Sequence, residues 1–184
     1  MFDIIFNMKK IKIIGIFLIF GLSVISHFMY EWFPNDVFSL LFPVNESIWE
    51  HMKLIATPVL VFSLIEYIIY LRKGIAFNNL ILSYSISIIL GIILYLIIYL
   101  PIHYIFGHIT IIAVGLLFIT FIIIEIISYY IMNYRLIKYS NVIGLGVIIL
   151  LYIIFGYLTY NPIEIDLFYD KIKKIYGIPQ RKRI

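Results

Sequence analysis

LILSYSISIILGIILYLIIYL, residues 80–100, contains no charged side chain. Wound as a helix at 1.5 Å per residue, it is about 30 Å long, the thickness of a bilayer's hydrocarbon core. It reads as a transmembrane helix. Four more apolar runs flank it, over about residues 13–29, 47–71, 109–132 and 142–158. The whole chain of 184 residues is 64% hydrophobic and 13% charged, with a mean hydropathy of +1.07. Soluble domains are about 45–50% apolar and about 25% charged. The sequence therefore predicts an all-α integral membrane bundle of five transmembrane helices. Residues 1–184 form one domain, with no separate soluble unit.

Several classes of function are excluded at this point. The chain has no cysteine, so disulfides, thiolate chemistry and Cys-based zinc sites are ruled out. The net charge of +4 is small, and the basic residues fit topology signals better than a nucleic-acid footprint. Lys9, Lys10 and Lys12 precede the first apolar run, as in a signal peptide. That run is long, however, and no small-x-small cleavage site follows it. It reads as an uncleaved span with aromatic anchors at its far end.

Lys and Arg occur at the N-terminus, near Arg72 and Lys73, and at Arg135 and Lys138. They are absent from loop one, Glu31–Glu46, and loop three, Pro101–His108. The positive-inside rule places the N-terminus in the cytoplasm and the C-terminus outside. Six Lys and Arg in the tail oppose this, but the first, Lys171, lies well beyond the last span. Pro58 should kink the second span. In the tail, residues 159–184, Ile165, Phe168, Tyr169, Ile172, Ile175 and Tyr176 recur at helical spacing. Asp166, Asp170, Lys171, Lys173 and Lys174 fall opposite them. This predicts an amphipathic surface helix ended by Gly177 and Pro179, followed by basic Arg181, Lys182 and Arg183.

One polar island stands out: Pro43-Val44-Asn45-Glu46-Ser47-Ile48-Trp49-Glu50-His51-Met52-Lys53. Ser47-x-x-Glu50 has the form of a helix capping box, and Trp49 that of an interface anchor. These roles leave Glu46, His51 and Lys53 unexplained. On a helix, Glu46, Glu50 and Lys53 share one face and Ser47 and His51 the next. Glu46, Glu50, His51 and Lys53 are the candidate catalytic residues. Asn45-Glu46-Ser47 also matches a glycosylation acceptor, accidentally so this close to a span.

All four histidines, His27, His51, His103 and His108, are expected near the same outer surface. With Glu46, Glu50 or Glu31 they form a chemically reasonable donor set for a divalent metal, the one cofactor the sequence suggests. The alternative is that each is an ordinary hydrogen-bonded interfacial histidine. The spacing from His103 to His108 is not that of a helical metal pair. Glu66 and Glu125 fall inside spans two and four, where a charge is costly and needs a partner. Arg72, Arg135 or tyrosine hydroxyls are the expected partners. A structural clamp is the plain reading and a proton or cation path the sharper one.

These residues resemble a family of small bacterial multi-span membrane proteins with no assigned function. The resemblance rests on His27-Phe28-x-Tyr30-x-Trp32 and on Phe42-Pro43-Val44-Asn45-Glu46-Ser47-x-Trp49-Glu50-His51-x-Lys53. It extends to Thr159-Tyr160-Asn161-Pro162, Leu167-Phe168-x-Asp170 and Tyr176-Gly177. Ile163 and Lys171 stand where the family often has proline. The resemblance implies a bacterial cytoplasmic membrane protein and brings no activity, cofactor or partner with it.

Two functions are compatible with these residues. One is a small binding, transport-related or accessory subunit in the lipid bilayer, with a polar site on the extracytoplasmic face. Five helices leave little room for alternating access, so it would act as a homo-oligomer or with a membrane partner. The other is a membrane-embedded metal-dependent hydrolase, with histidine ligands and Glu46 or Glu50 as the base. Ser23-x3-His27 adds a faint likeness to membrane hydrolases that pair a serine with metal-binding histidines.

Overall fold

Long apolar runs must satisfy their backbone groups internally, and here they do so as helices. The computed structural model describes residues 2–179, with side chains placed from Met8 onward. The helices are α1 (Phe2–Trp32), α2 (Asp36–Leu41), α3 (Ile48–His51), α4 (Lys53–Lys73), α5 (Leu80–Phe106), α6 (Thr110–Asn133) and α7 (Ser140–Tyr160). Among the described residues, five stretches are long and apolar enough to cross a membrane: Met8–Trp32, Ile48–Lys73, Leu80–Phe106, Thr110–Asn133 and Ser140–Tyr160. The second joins α3 and α4, which are separated only at Met52. Pro58 lies within α4, and Pro101, expected in a loop, lies within α5. That helix continues to Phe106 and stops at Gly107, whose φ of +78° favours glycine.

Helix α5 packs against α4, α6 and α7, and α1 closes the bundle against α4 and α6. Lipid-like surroundings give apolar helices little reason to associate, so close backbone approach and buried polar contacts carry the packing. Gly144 on α7 shows the first. A Cβ there would lie 2.5 Å from the Leu82 backbone nitrogen on α5. Ser83, Ser85 and Ser87 show small buried residues on α5, each hydroxyl donating to a carbonyl one turn back. The outer faces are apolar: Ile97, Ile111 and Val142 are 64%, 81% and 69% exposed. Such surfaces suit a hydrocarbon solvent.

The tail differs from the amphipathic helix its periodicity suggests. Asp166–Phe168 is one 3-10 turn, and Tyr169–Asp170 (β1) pairs antiparallel with Ile175–Tyr176 (β2). The register sets Tyr169 against Tyr176 and Asp170 against Ile175. Asp170 explains the difference. Its side chain is fully buried, and Oδ1 accepts the N–H groups of Ile172 and Lys173, which closes a turn. Lys174 adopts φ +56° and Gly177 φ +64°, both left-handed. A left-handed Gly177 would suit the end of a helix, but a helix running through Lys174 does not accommodate its left-handed φ. Ile172, assigned to the apolar face, is 76% exposed. Arg181, Lys182 and Arg183 lie outside the described residues.

Candidate functional site

The up-and-down order of the spans brings the end of α1, the start of α3, the end of α5, the start of α6 and the end of α7 to one end of the bundle. We call this end the mouth. Here the chain between α2 and α3 is held by side chains. Ser47 is the N-cap of α3, its Oγ accepting the Glu50 N–H at 3.3 Å. Only this half of the capping box forms. The Glu50 carboxylate does not return to Ser47; it accepts the Val44 N–H (3.1 Å) and hydroxyl and ammonium protons from Thr159 and Lys53, each at 2.7 Å. The Ser47 N–H donates instead to Asn45 Oδ1 at 2.8 Å.

Lys53 and Glu50 are therefore a buried pair. The three protons of the ammonium go to Glu50 Oε2, Ser39 O and Thr159 Oγ1, each at 2.7 Å. This network ties α2, α3, α4 and α7 together with no donor left over. It accounts for Lys53 structurally. Trp49 faces inward, meeting Phe155 edge-on (5.5 Å) and Phe168 at a tilt (5.1 Å), and serves as packing rather than an interface anchor.

Glu46 has a different environment. Its backbone N–H donates to Asp170 Oδ2 at 2.9 Å, and Asn45 Nδ2 donates to Gly177 O at 2.7 Å. The β-hairpin thus clamps the loop that carries Glu46. The Glu46 carboxylate then meets two imidazoles, with His51 Nε2 at 3.3 Å and His27 Nε2 at 3.7 Å. One ligand atom from each of His27, Glu46 and His51 lies within 4.8 Å of the others. The two rings stack at 5.3 Å with an interplanar angle of 19°. A hydrogen bond from the His51 side chain holds the Glu46 carboxyl down at about 2, against an ordinary value of 4.5. The group is partly buried and remains an anion throughout the physiological range.

The tautomer of His51 is fixed by its other nitrogen. Nδ1 lies 2.8 Å from the Ser47 carbonyl oxygen, which can only accept, so Nδ1 carries a proton. In a neutral ring, Nε2 is then a lone pair directed at a carboxylate. That contact is repulsive unless a cation, either a proton or a metal ion, lies between them. Ring N–H to backbone carbonyl is also the usual outer support of a metal-bound imidazole. Ligands of a tetrahedral zinc ion stand about 3.3–3.5 Å apart, close to the two carboxylate–imidazole separations. Binding both imidazoles to one ion requires the stacked rings to splay. A cavity of about 150 Å³ adjoins the group, lined in part by His27, Glu31, Glu46 and Lys173.

The remaining histidines stand apart from this group. His103 Nε2 is 3.2 Å from the Lys171 ammonium, which also pairs with Asp166. His108 Nδ1 is 2.8 Å from the Tyr99 hydroxyl, and its Nε2 is 3.3 Å from Thr110 Oγ1. A lysine donating to one ring and two hydroxyls holding the other make a polar network rather than a donor set. Glu66 and Glu125 pair with neither of the expected arginines, Arg72 and Arg135. Their cationic partner is Lys12, with Tyr70 and Tyr84 as hydroxyl partners.

Three residues at these sites escaped the sequence reading: Lys12, Thr159 and Asp170. Lys12 was grouped with Lys9 and Lys10 as a topology signal, yet it is 4% exposed. Thr159 and Asp170 lie in segments that carry the family resemblance. The structure packs those segments against the polar island that carries the rest of it.

Five membrane-length apolar helices capped at one end by a polar, hairpin-closed mouth define a helical membrane-bundle protein. The chain belongs to a family of unknown function, DUF6512, whose profile covers residues 1–178. No curated protein and no solved structure matches it.

Proposed function

We propose that this protein is a small metal-binding protein of the bacterial cytoplasmic membrane, with a divalent transition-metal site at an outward-facing mouth. The ligands are His27, His51 and Glu46. The observation that carries the reading is geometric: with His51 Nδ1–H spent on the Ser47 carbonyl, one ligand atom each from His27, Glu46 and His51 converges within 4.8 Å, a spacing that a single bound cation would satisfy. Two imidazoles and a carboxylate suit zinc and its first-row neighbours. Absence of Lys and Arg from loops one and three supports the outward orientation. The role is that of a binding or accessory subunit working with a membrane partner or with copies of itself.

The test is metal binding by the purified protein in detergent, with zinc followed by calorimetry and cobalt by its visible spectrum. One equivalent should bind, with the spectrum of a tetrahedral ion. His27→Ala, His51→Ala and Glu46→Gln should each weaken binding at least tenfold, while His103→Ala and His108→Ala leave it unchanged. Failure to bind stoichiometric metal, or equal loss in the His103 variant, overturns the reading.

A second reading, metal-dependent hydrolysis, is favoured by one feature. Three protein ligands leave a fourth position open, as catalytic zinc sites do, and a cavity bordered by Glu31 lies beside it. Glu31 rather than Glu50 would then be placed to accept a proton, because Glu50 is committed to Lys53. Zinc-dependent turnover of a small ester or amide, lost in Glu31→Gln with metal binding retained, would establish it.

A further inference from the structure

At the end of the bundle opposite the mouth, four helices bring together a buried polar cluster. Lys12 comes from α1, Glu66 and Tyr70 from α4, Tyr84 from α5, and Glu125 and Ser128 from α6. None is more than 4% exposed. We propose that this cluster is a proton-binding site and that the proton resides on Glu125.

The hydrogen-bond donors distribute unequally between the two carboxyl groups. Lys12 has three N–H groups. They point to Glu66 Oε2 (2.9 Å), Tyr84 OH (2.9 Å) and Ser128 Oγ (2.8 Å). Tyr84 has one hydroxyl proton, and the short contact is to Glu66 Oε2 at 2.6 Å. Tyr70 donates to Glu66 Oε1, also at 2.6 Å. Glu66 is thus fully provided for as a carboxylate. Glu125 receives almost nothing. Its Oε1 is 3.4 Å from Tyr84, whose proton is committed to Glu66. Its Oε2 is buried without a hydrogen-bond partner, 3.3 Å from an ammonium whose protons point elsewhere. Ser128 directs its hydroxyl to the Glu125 backbone carbonyl.

Charge leads to the same residue. Among the described residues, the charged groups facing the cluster are Lys12, Glu66 and Glu125; the titratable hydroxyls are Tyr70 and Tyr84, with Tyr129 near Tyr70. α7 carries no charged residue. With both glutamates ionised, the site holds one positive and two negative charges in an apolar interior, an arrangement strongly disfavoured there. A proton on Glu125 makes it neutral. A metal cation is no substitute, because the Lys12 ammonium occupies the place between the carboxylates where it would sit. Loss of that proton would make Glu125 compete with Glu66 for the ammonium, so proton binding on α6 is linked to the contact between α1 and α4. The site stands independently of the metal reading at the mouth.

Infrared spectroscopy of the purified protein in lipid nanodiscs tests this without any variant. At neutral pH the wild type should show the C=O stretch of a buried carboxylic acid. Glu125→Gln should abolish it, and since glutamine imitates the protonated acid, that variant should melt within a few degrees of wild type. Glu66→Gln, which removes the anion that Lys12 and both tyrosines serve, should melt markedly lower. A wild-type spectrum lacking the acid band overturns the proposal. So does a band that survives in Glu125→Gln, or a Glu125→Gln protein less stable than Glu66→Gln.

Discussion

The ammonium of Lys53 lies 2.7 Å from the carboxylate of Glu50, with the two side chains 0% and 2% exposed. An ion pair this deeply buried is expensive to break from one side only, because the survivor keeps its charge and loses its partner. Lys53→Met should destabilise the protein by about 3–5 kcal/mol. Loss of a capping contact alone would cost about 0.5–2 kcal/mol. Thermal unfolding in detergent separates the two ranges. The double variant Lys53→Met with Glu50→Leu should recover much of the loss, since it leaves no orphaned charge.

Asp170 is the fastener of the hairpin. Its carboxylate accepts three backbone N–H groups, two inside its own turn and one from Glu46. Asp170→Asn keeps the shape but replaces a charged acceptor by a neutral one. Each hydrogen bond to a charged group contributes about 1.5–3 kcal/mol, so replacing the charge should loosen the hairpin before it unfolds the bundle. Hydrogen exchange should show the amides of Glu46, Ile172 and Lys173 losing protection while α5 and α6 keep theirs. Uniform loss across the helices would mean that Asp170 supports the whole fold.

Glu46 predicts a specific pH dependence. Its folded-state value is depressed to about 2 from 4.5, chiefly by the hydrogen bond from His51. A depressed carboxyl contributes stability above its unfolded value and loses it as pH falls towards the folded one. The contribution should be intact above about pH 4.5 and disappear progressively towards pH 2. Its size is modest because about a third of the side chain is in contact with solvent. Glu46→Gln should flatten this acid limb of the stability curve and leave the neutral range nearly unchanged. Denaturation midpoints measured across that range decide it.

The absence of cysteine makes orientation directly measurable. Single cysteines at Ile172, Lys73 and Lys138 report on the hairpin and on the loops after α4 and α6, and all three positions are exposed. In intact cells a membrane-impermeant maleimide should label Ile172→Cys and spare the other two until the membrane is opened. The reverse pattern would turn the mouth towards the cytoplasm.

The spans were legible because bilayer thickness demands some 20 apolar residues, and few other folds produce such runs. Pro101 shows where that reading stops, since a proline near a helix end neither breaks nor bounds it reliably. The tail was misread for a physical reason. Apolar residues at 168, 169, 172, 175 and 176 satisfy a helical period, but the buried Asp170 turn is set by acceptor geometry that periodicity does not register. At the mouth, helical spacing correctly paired Ser47 with His51 and Glu50 with Lys53. It failed for Glu46, which precedes the first residue of α3 and so shares no helical face with Glu50. The side chain turns instead to His27, on another span. Lys12 was obscured by its neighbours, because nothing local separates a buried lysine from two solvated ones.

The contact between Asn45 and Gly177 spans 132 positions in the chain. In the order of synthesis, the loop bearing Glu46 leaves the ribosome long before the hairpin that secures it. Insertion of α4, α5, α6 and α7 therefore proceeds with the mouth ajar. The stretch that shuts it emerges only after all five spans, so a closed site implies that the bundle around it has already been made.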